Sequence, residues 1–331
     1  MPRLPETMRA AYVERHGPAA SIRYGELPVP AYGPTDVLVA VEAVVVDPVD
    51  TFVRSGAFRT PTPFPFVIGR DLVGTVAARG NGAPGFALGD AVWANSLGHG
   101  GRQGSFAEYA VVAADRLYHL PEGVDPVQAV AVAHPAATAF LGLFRHARLR
   151  LGETVFVGGG AGNVGSAAIR LAAVAGARVL ASARERDFER CRRTGATVVV
   201  DYRDPDGTER LRSAAPGGVD VYWDTSGHHE LDAAAAVVAR GGRIVLSAGR
   251  QARPVLPVGP LYTRDVTLVG FTMSNAAVHD LAAAAVVINR RLADGTLGAC
   301  IAGELPLSEA AEAHRRIEHG ELAGTRLILR P

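Results

Sequence analysis

The segment Thr154–Asp187, TVFVGGGAGNVGSAAIRLAAVAGARVLASARERD, narrows the folds open to this chain more than any other. An apolar run, Val155 to Val157, leads into GGGAGNVG, and a small-residue stretch with helical spacing, Val164 to Ala175, follows. A second apolar run, Arg178 to Ser182, completes a strand–turn–helix–strand unit. In that setting Gly160, Gly162 and Gly165 satisfy G-x-G-x-x-G. Such glycines let the chain turn tightly and bring backbone N–H groups up to a pyrophosphate, where a helix N-terminus adds partial positive charge. The expected occupant is a dinucleotide.

Which dinucleotide depends on the end of the second strand. An acid there accepts both ribose hydroxyls of NAD, whereas a 2′-phosphate calls for positive charge. The chain reads Ser182-Ala183-Arg184-Glu185-Arg186, a hydroxyl and two guanidiniums with no acid at the strand end. Arg184 can bind a phosphate through charge-assisted, bidentate hydrogen bonds, so NADPH is the expected cofactor. The competing reading pairs Arg184 and Arg186 with Glu185, Asp187 or Glu189 on a solvated helix surface.

The rest of the chain changes texture near residue 125. Before it, short alternating runs closed by Gly, Pro and Asp (DVLVAVEAVVV, DLVGTVAARG, DAVWANS, SFAEYAVV) read as strands of a β-rich domain. After it, apolar runs alternate with helix-length segments, the pattern of a parallel, doubly wound α/β sheet. Two domains suit 331 residues, more than one hydrophobic core usually holds. The boundaries expected are 1–124 for a first β-rich part, 125–265 for the nucleotide domain, and 266–331 for a return to the first domain.

A formal net charge of +1 gives no reason to expect nucleic acid or an anionic membrane as partner. Arg, Asp, Gly or Pro breaks the longest apolar stretches, so no membrane span is expected. The opening residues lack the apolar run of a signal peptide, which points to the cytoplasm. Two cysteines, Cys191 and Cys300, make neither a disulfide framework nor a metal cluster. All 34 basic residues are arginine, so lysine Schiff bases and lysine general acids are excluded.

The chain resembles the zinc-independent quinone oxidoreductases of the medium-chain dehydrogenase/reductase superfamily, the zeta-crystallin group. VVDPVDTFVRSGAF, PFVIGRDLVGTV, GSFAEYAVV, TGATVVVDY, GGRIVLSAG and DVTLVGFTM carry the resemblance together with the glycine segment. It implies a GroES-like catalytic domain built from both ends of the chain, with a Rossmann domain between. It also implies NADPH contacts at Ala161, Gly162, Asn163 and Val164 for the pyrophosphate, and at Arg184 and Tyr202 around the 2′-phosphate and adenine. His228, Ser247, Ala248, Gly249, Arg250, Phe271, Thr272 and Met273 match contacts nearer the nicotinamide, and Thr138 matches a residue beside it. A homodimer through edge strands of the nucleotide domains is implied too. The proline-bearing stretch ARPVLPVGPLYTRD, residues 252–265, is where that edge is expected.

Departures from the family matter as much. Where zinc-dependent relatives carry metal ligands, this chain has Asp47, Arg70 and His134. A fixed cation at Arg70 argues for an Asp47–Arg70 ion pair and no metal. Phe52 and Phe58 replace tyrosines common in the family, leaving Asp47, Thr51, Tyr109 or His134 as groups able to handle a proton. Phe52, Phe58, Phe64 and Trp93 are expected to line an apolar, aromatic acceptor pocket. The reading is hydride transfer from NADPH to a quinone-like small molecule, with Asp47 and Thr51 positioning the acceptor. The alternatives are reduction of a conjugated C=C bond in an enone or enoyl substrate, and an NADPH-binding protein without turnover.

Overall fold

The computed structural model of the chain describes residues 4–331, which divide into two compact units. One runs up to His134 and takes in Leu281–Pro331; the other is Pro135–Asp280.

The first unit is largely antiparallel sheet. Its elements are β1 (Thr7–Val13), β2 (Arg23–Pro28), β3 (Asp36–Val45), α1 (Pro48–Arg54), β4 (Phe66–Val67), β5 (Asp71–Arg79), β6 (Ala91–Ala94), β7 (Tyr109–Ala113) and β8 (Tyr118–His119). Helix α2 (Pro126–Phe140) follows; its residues from Pro135 on, and the π-helical turn Leu141–His146 that continues it, belong to the second unit. After the second unit the chain returns with most of α8 (Val278–Ala293), β15 (Ile301–Pro306), α9 (Ala310–Glu318) and β16 (Arg326–Arg330). One sheet runs β15-β16-β3-β5-β6-β8 with β7 also on β3, and a smaller one runs β2-β1-β4. The outer strand β7 alternates, whereas β3, β5 and β16 carry runs of consecutive buried residues and are covered on both faces there. Val37, Val39, Leu72, Phe106 and Leu329 meet in a single core, each below 1% exposure. The last strand closes the sheet, Leu329 lying opposite Val44 and Ile328 opposite Val45.

The second unit holds β9 (Thr154–Gly158), α3 (Asn163–Val174), β10 (Arg178–Ala183), α4 (Phe188–Thr194), β11 (Val198–Asp201), α5 (Gly207–Ala214), β12 (Val219–Asp224), α6 (Leu231–Val237), β13 (Val238–Leu246), α7 (Val258–Tyr262) and β14 (Thr267–Gly270). Its strands form one parallel sheet in the order β11-β10-β9-β12-β13-β14. That is the doubly wound arrangement, whose order reverses between β9 and β12 and leaves a crevice at the carboxyl ends of the strands. Val155, Val157, Val179 and Ala181 are fully buried, as a sheet covered on both faces requires.

Two details differ from the reading of the sequence. The units meet at 134/135 and 280/281, because Thr267–Gly270 pairs with Arg243–Leu246 and so belongs to the nucleotide sheet. The stretch 252–265 forms no strand; it is a loop and the short α7, and the edge of the sheet is β14. Among the described residues one helix, Pro126–His146, has the length and mean hydropathy (1.5) of a membrane span by composition alone. It is 67% buried within the fold, as the core helix of a folded domain is.

Candidate active site

The glycine turn of the second unit joins β9 to α3, and each of its glycines has a separate physical reason. A Cβ on Gly160 would lie 2.8 Å from Ile169 Cδ1 and 3.0 Å from Ala181 Cβ. One on Gly165 would lie 2.2 Å from the Gly159 carbonyl oxygen, so only glycine lets the helix pack this close to the strand. Gly162 is the N-cap of α3, and the nearest atom to a Cβ there is Gly159 O at 3.2 Å. Ala161, Asn163 and Val164 complete the turn and the first residues of the helix. The turn brings the N-terminus of α3 to the carboxyl end of β9, with Ala161 to Val164 half-buried, the arrangement in which a helix end can receive an anion.

At the ends of the next strands, Arg184 Nε donates to the Tyr202 hydroxyl at 2.8 Å, bringing together two residues named from the sequence. Ser182 Oγ accepts from Gly159 N at 3.3 Å. Asp201, opposite Ala183 in the sheet, is held by Arg203 through two bonds of 3.1 and 2.7 Å. That pairing holds its carboxyl below the usual range, so its charge is already balanced by a cation.

The remaining cofactor candidates cluster at the carboxyl ends of β12, β13 and β14. Ser247 Oγ accepts from Trp223 Nε1 at 2.9 Å, and the Ala248 carbonyl lies 2.9 Å from His229 Nε2. Gly249 has φ +69°, and a Cβ there would lie 2.4 Å from the Gly227 carbonyl oxygen, so the backbone at Gly249 packs closely on the turn after β12. His228 Nδ1 lies 2.9 Å from Ser226 Oγ, which in turn donates to Asp224 at 2.7 Å. Phe271 stacks on His146 at 4.5 Å and 19°, and Thr272 follows it as the cap of a short turn holding Met273. Thr138 Oγ1 reaches Met273 Sδ at 3.7 Å. The π turn carries Gly142 against the Trp223 ring, where a Cβ would lie 2.3 Å from Cη2.

The first unit carries a buried ionic cluster. Asp47 caps α1, and its N–H donates to Asp50 Oδ2 at 2.8 Å. Its carboxylate is bonded by Arg326 Nη2 at 2.8 Å, with both side chains 2% exposed. Burial is the largest influence and pushes the Asp47 carboxyl up, but Arg326, through its charge and hydrogen bond, together with His134 and Asp71, brings the net direction down. Asp50 is pushed up to about 8, first by burial and then by the charge of Asp47. Asp71, fully buried, is likewise raised, and His134 Nδ1 lies 3.7 Å from it. Burial pushes the His134 imidazole down, so it favours its neutral form. Thr51, also buried, spends its hydroxyl proton on the Pro48 carbonyl at 2.8 Å.

This geometry corrects two expectations. The partner of Asp47 is Arg326 on the last strand, not Arg70, whose Nε and Nη2 have no hydrogen-bond acceptor. Trp93 is fully buried, donates to Asn289 Oδ1 at 2.9 Å and packs on Tyr118, so it belongs to the core and not to an open pocket. Phe52 is 37% exposed on α1, and Phe58 is partly buried with its ring 5.7 Å from His99. Sequence reasoning missed Asp71 and Arg326. Asp71 follows Arg70 directly and carries an acid's signal; Arg326 carried none, being 279 positions from its partner.

Residues 33–122 match the alcohol dehydrogenase GroES-like domain, and residues 163–289 match the zinc-binding dehydrogenase family. The quinone oxidoreductase of Mus musculus is 30% identical over 327 residues, 97% of each chain. The chain belongs to the quinone oxidoreductase family of medium-chain dehydrogenases/reductases. A solved NAD-dependent alcohol dehydrogenase is 30% identical, with TM-score 0.88 over 98% of this chain and 100% of that one. A mycobacterial protein solved with NADPH is 27% identical, with TM-score 0.83 over 98% of this chain and 100% of that one. A family member of this architecture is an oxidoreductase with a GroES-like and a Rossmann domain, a nicotinamide cofactor and a small-molecule substrate.

The family's metal position deserves a test on the residues present. Donor atoms of Asp47, Asp71 and His134 lie within 4.8 Å of one another, a set that includes Asp71 where the sequence suggested Arg70. Two oxygens and an imidazole are acceptable ligands. However, Asp47 already answers Arg326, and Arg70 is buried beside the same carboxylates, so two fixed cations occupy the charge that a divalent ion would need. The set does not fit a resident metal.

Proposed function

We propose that the protein is an NADPH-dependent oxidoreductase acting on a quinone-like acceptor without a metal ion. The likeness to quinone oxidoreductases over 97% of the chain carries the acceptor class. The Arg184–Tyr202 pair, with Asp201 already balanced by Arg203, supports NADPH over NADH. When bound, the nicotinamide supplies a hydride. Gly160, Ala161, Gly162, Asn163, Val164 and Gly165 would hold the pyrophosphate, and Ser182, Arg184 and Tyr202 the adenosine end. His228, Ser247, Ala248, Gly249, Arg250, Phe271, Thr272, Met273 and Thr138 would orient the nicotinamide half and keep water from it.

Proton handling favours a quinone over an enone. Saturating a C=C bond ends with protonation of carbon, a step that a placed acid assists. Of the candidates, Asp47 is held below its usual range, Thr51 donates to its own helix, His134 favours its neutral form, and Tyr109 packs against the core of the first unit. Asp50 and Asp71 favour their protonated forms, but both are buried. A reduced quinone oxygen takes its proton from water, so it makes no such demand. Assays with NADPH at equal acceptor concentration should show naphthoquinone reduced faster than enones or enoyl thioesters, with the rate unchanged after dialysis against EDTA. An enone rate about tenfold above the quinone rate, a gap of roughly 1.4 kcal/mol in barrier, would reverse the assignment.

For the cofactor, Arg184→Ala should cost on the order of 1.5–3 kcal/mol of NADPH binding, the worth of a charge-assisted bond, and leave NADH affinity alone. Fluorescence titration of both cofactors reads this directly, and equal affinities in the parent protein would refute it. We further propose a homodimer through β14, the open edge of the six-stranded sheet. Leu268 on that strand is 41% exposed, and Val255 and Tyr262 just before it are 80% and 70% exposed. Light scattering at micromolar concentration should give twice the chain mass.

A further inference from the structure

Loop 95–105 of the first unit gathers positive charge whose hydrogen bonds go only to neutral oxygens. Arg102 donates to the Ser96 carbonyl through Nη2 at 3.0 Å and Nε at 3.3 Å, and Arg116 Nη1 reaches the Ser96 hydroxyl at 3.5 Å. The next amide, Leu97 N, donates to the Arg70 carbonyl at 3.2 Å, which ties the same turn to Arg70. Arg70 is 1% exposed, and its Nε and Nη2 have no acceptor. His99 Nδ1, in the loop, is also buried without a partner, and the His99 ring lies 5.7 Å from Phe58.

The cations act on one another. His99 is pushed down to about 4, first by burial and then by Arg70, Arg102 and Arg116. Asp50, Asp71 and Asp47 are the acids felt by Arg70, and Asp115 is the acid felt by Arg102. These carboxylates balance the charge at long range but leave the two N–H groups of Arg70 unbonded. A buried guanidinium with unmade hydrogen bonds is costly, and its planar fork matches two oxygens of a carboxylate.

We infer that Arg70, Arg102, Arg116 and His99 form a subsite for a carboxylate on the acceptor, with Phe58 flanking its ring. The preferred substrate is then a quinone-type aromatic acid. This rests on the quinone-type reading above and narrows it. None of the four residues has been assigned a role in the cofactor site.

Two acceptors of one skeleton test it: 1,4-naphthoquinone bearing a carboxylate, and its methyl ester. The kcat/KM for the acid should exceed that for the ester by about tenfold, the worth of one charge-assisted contact. Arg102→Gln and, independently, Arg116→Gln should each bring that ratio toward one. An acid no better than the ester in the unaltered protein overturns the proposal. So does a KM for NADPH that rises equally with both acceptors in the variants, since the cluster would then hold a cofactor phosphate. Calorimetry with 2-naphthoate separates the subsite from the reading beneath it. If neither quinone is reduced but 2-naphthoate binds, and Arg102→Gln weakens it about tenfold, the quinone reading fails and the subsite stands. No binding of 2-naphthoate ends the subsite.

Discussion

Valine in place of Gly165 is expected to abolish nucleotide binding and to lower stability by about 1–3 kcal/mol, the usual cost of overpacking a tight site. The contact it creates is with backbone: Gly159 O at 2.2 Å and Gly159 C at 2.9 Å from the added Cβ. No flexible side chain can move aside, so α3 must shift off β9 and the cradle opens. Gly162→Ala is the informative partner. Its Cβ meets only Gly159 O, at 3.2 Å, so a small adjustment admits it and the melting temperature should hold. Affinity for NADPH should still fall, because the added methyl stands where the backbone must approach the pyrophosphate. Thermal melts and cofactor titrations on the two variants separate packing from phosphate approach, and identical behaviour would show that separation to be mistaken.

The second large effect belongs to Arg326. Replacing it by methionine strands the Asp47 carboxylate in the core and should destabilise the protein by about 3–5 kcal/mol. The penalty is that of an unanswered buried charge, so Asp47→Asn in the same chain should recover most of it. Denaturant titrations of the two single variants and the double variant give the coupling. The sign with pH follows from the lowered Asp47 pKa: the stabilisation is present above the ordinary carboxylate range and is lost as pH falls through the depressed value. A double variant no more stable than Arg326→Met would mean that Arg326 serves the fold through packing alone.

What could be read from the chain was what is local. The spacing of Gly160, Gly162 and Gly165 fixes a turn whose three steric reasons all lie within a few residues or one strand away. The alternation of apolar runs was enough for two sheets of different kinds. Partner choice was not legible. Arg70 looked like the cation for Asp47 because both lie near the family's ligand positions, yet a strand from the far end of the chain supplies the bond. Trp93 failed for a different reason: an aromatic in a strand has the same letter whether it faces the core or an opening, and only the Asn289 bond decides. The stretch 252–265 has prolines that suit an edge but also prevent a ladder, and the structure uses them in a loop.

The pairing of Asp47 with Arg326 also bears on how the chain is made. A ribosome delivers β9 through β14 in one uninterrupted run, so the parallel sheet has all its strands once Gly270 has emerged. The β-rich unit has no such luck. Strand β3 finds β5 and β7 early, but its Val44 and Val45 have no neighbour on one side until β16 appears. Asp47, beside them, waits through 279 further residues for its cation. During that interval an apolar strand end and a carboxylate destined for burial remain accessible to water and to other chains, the condition under which nascent proteins mispair. The half that begins first at the exit tunnel is the half that is finished last.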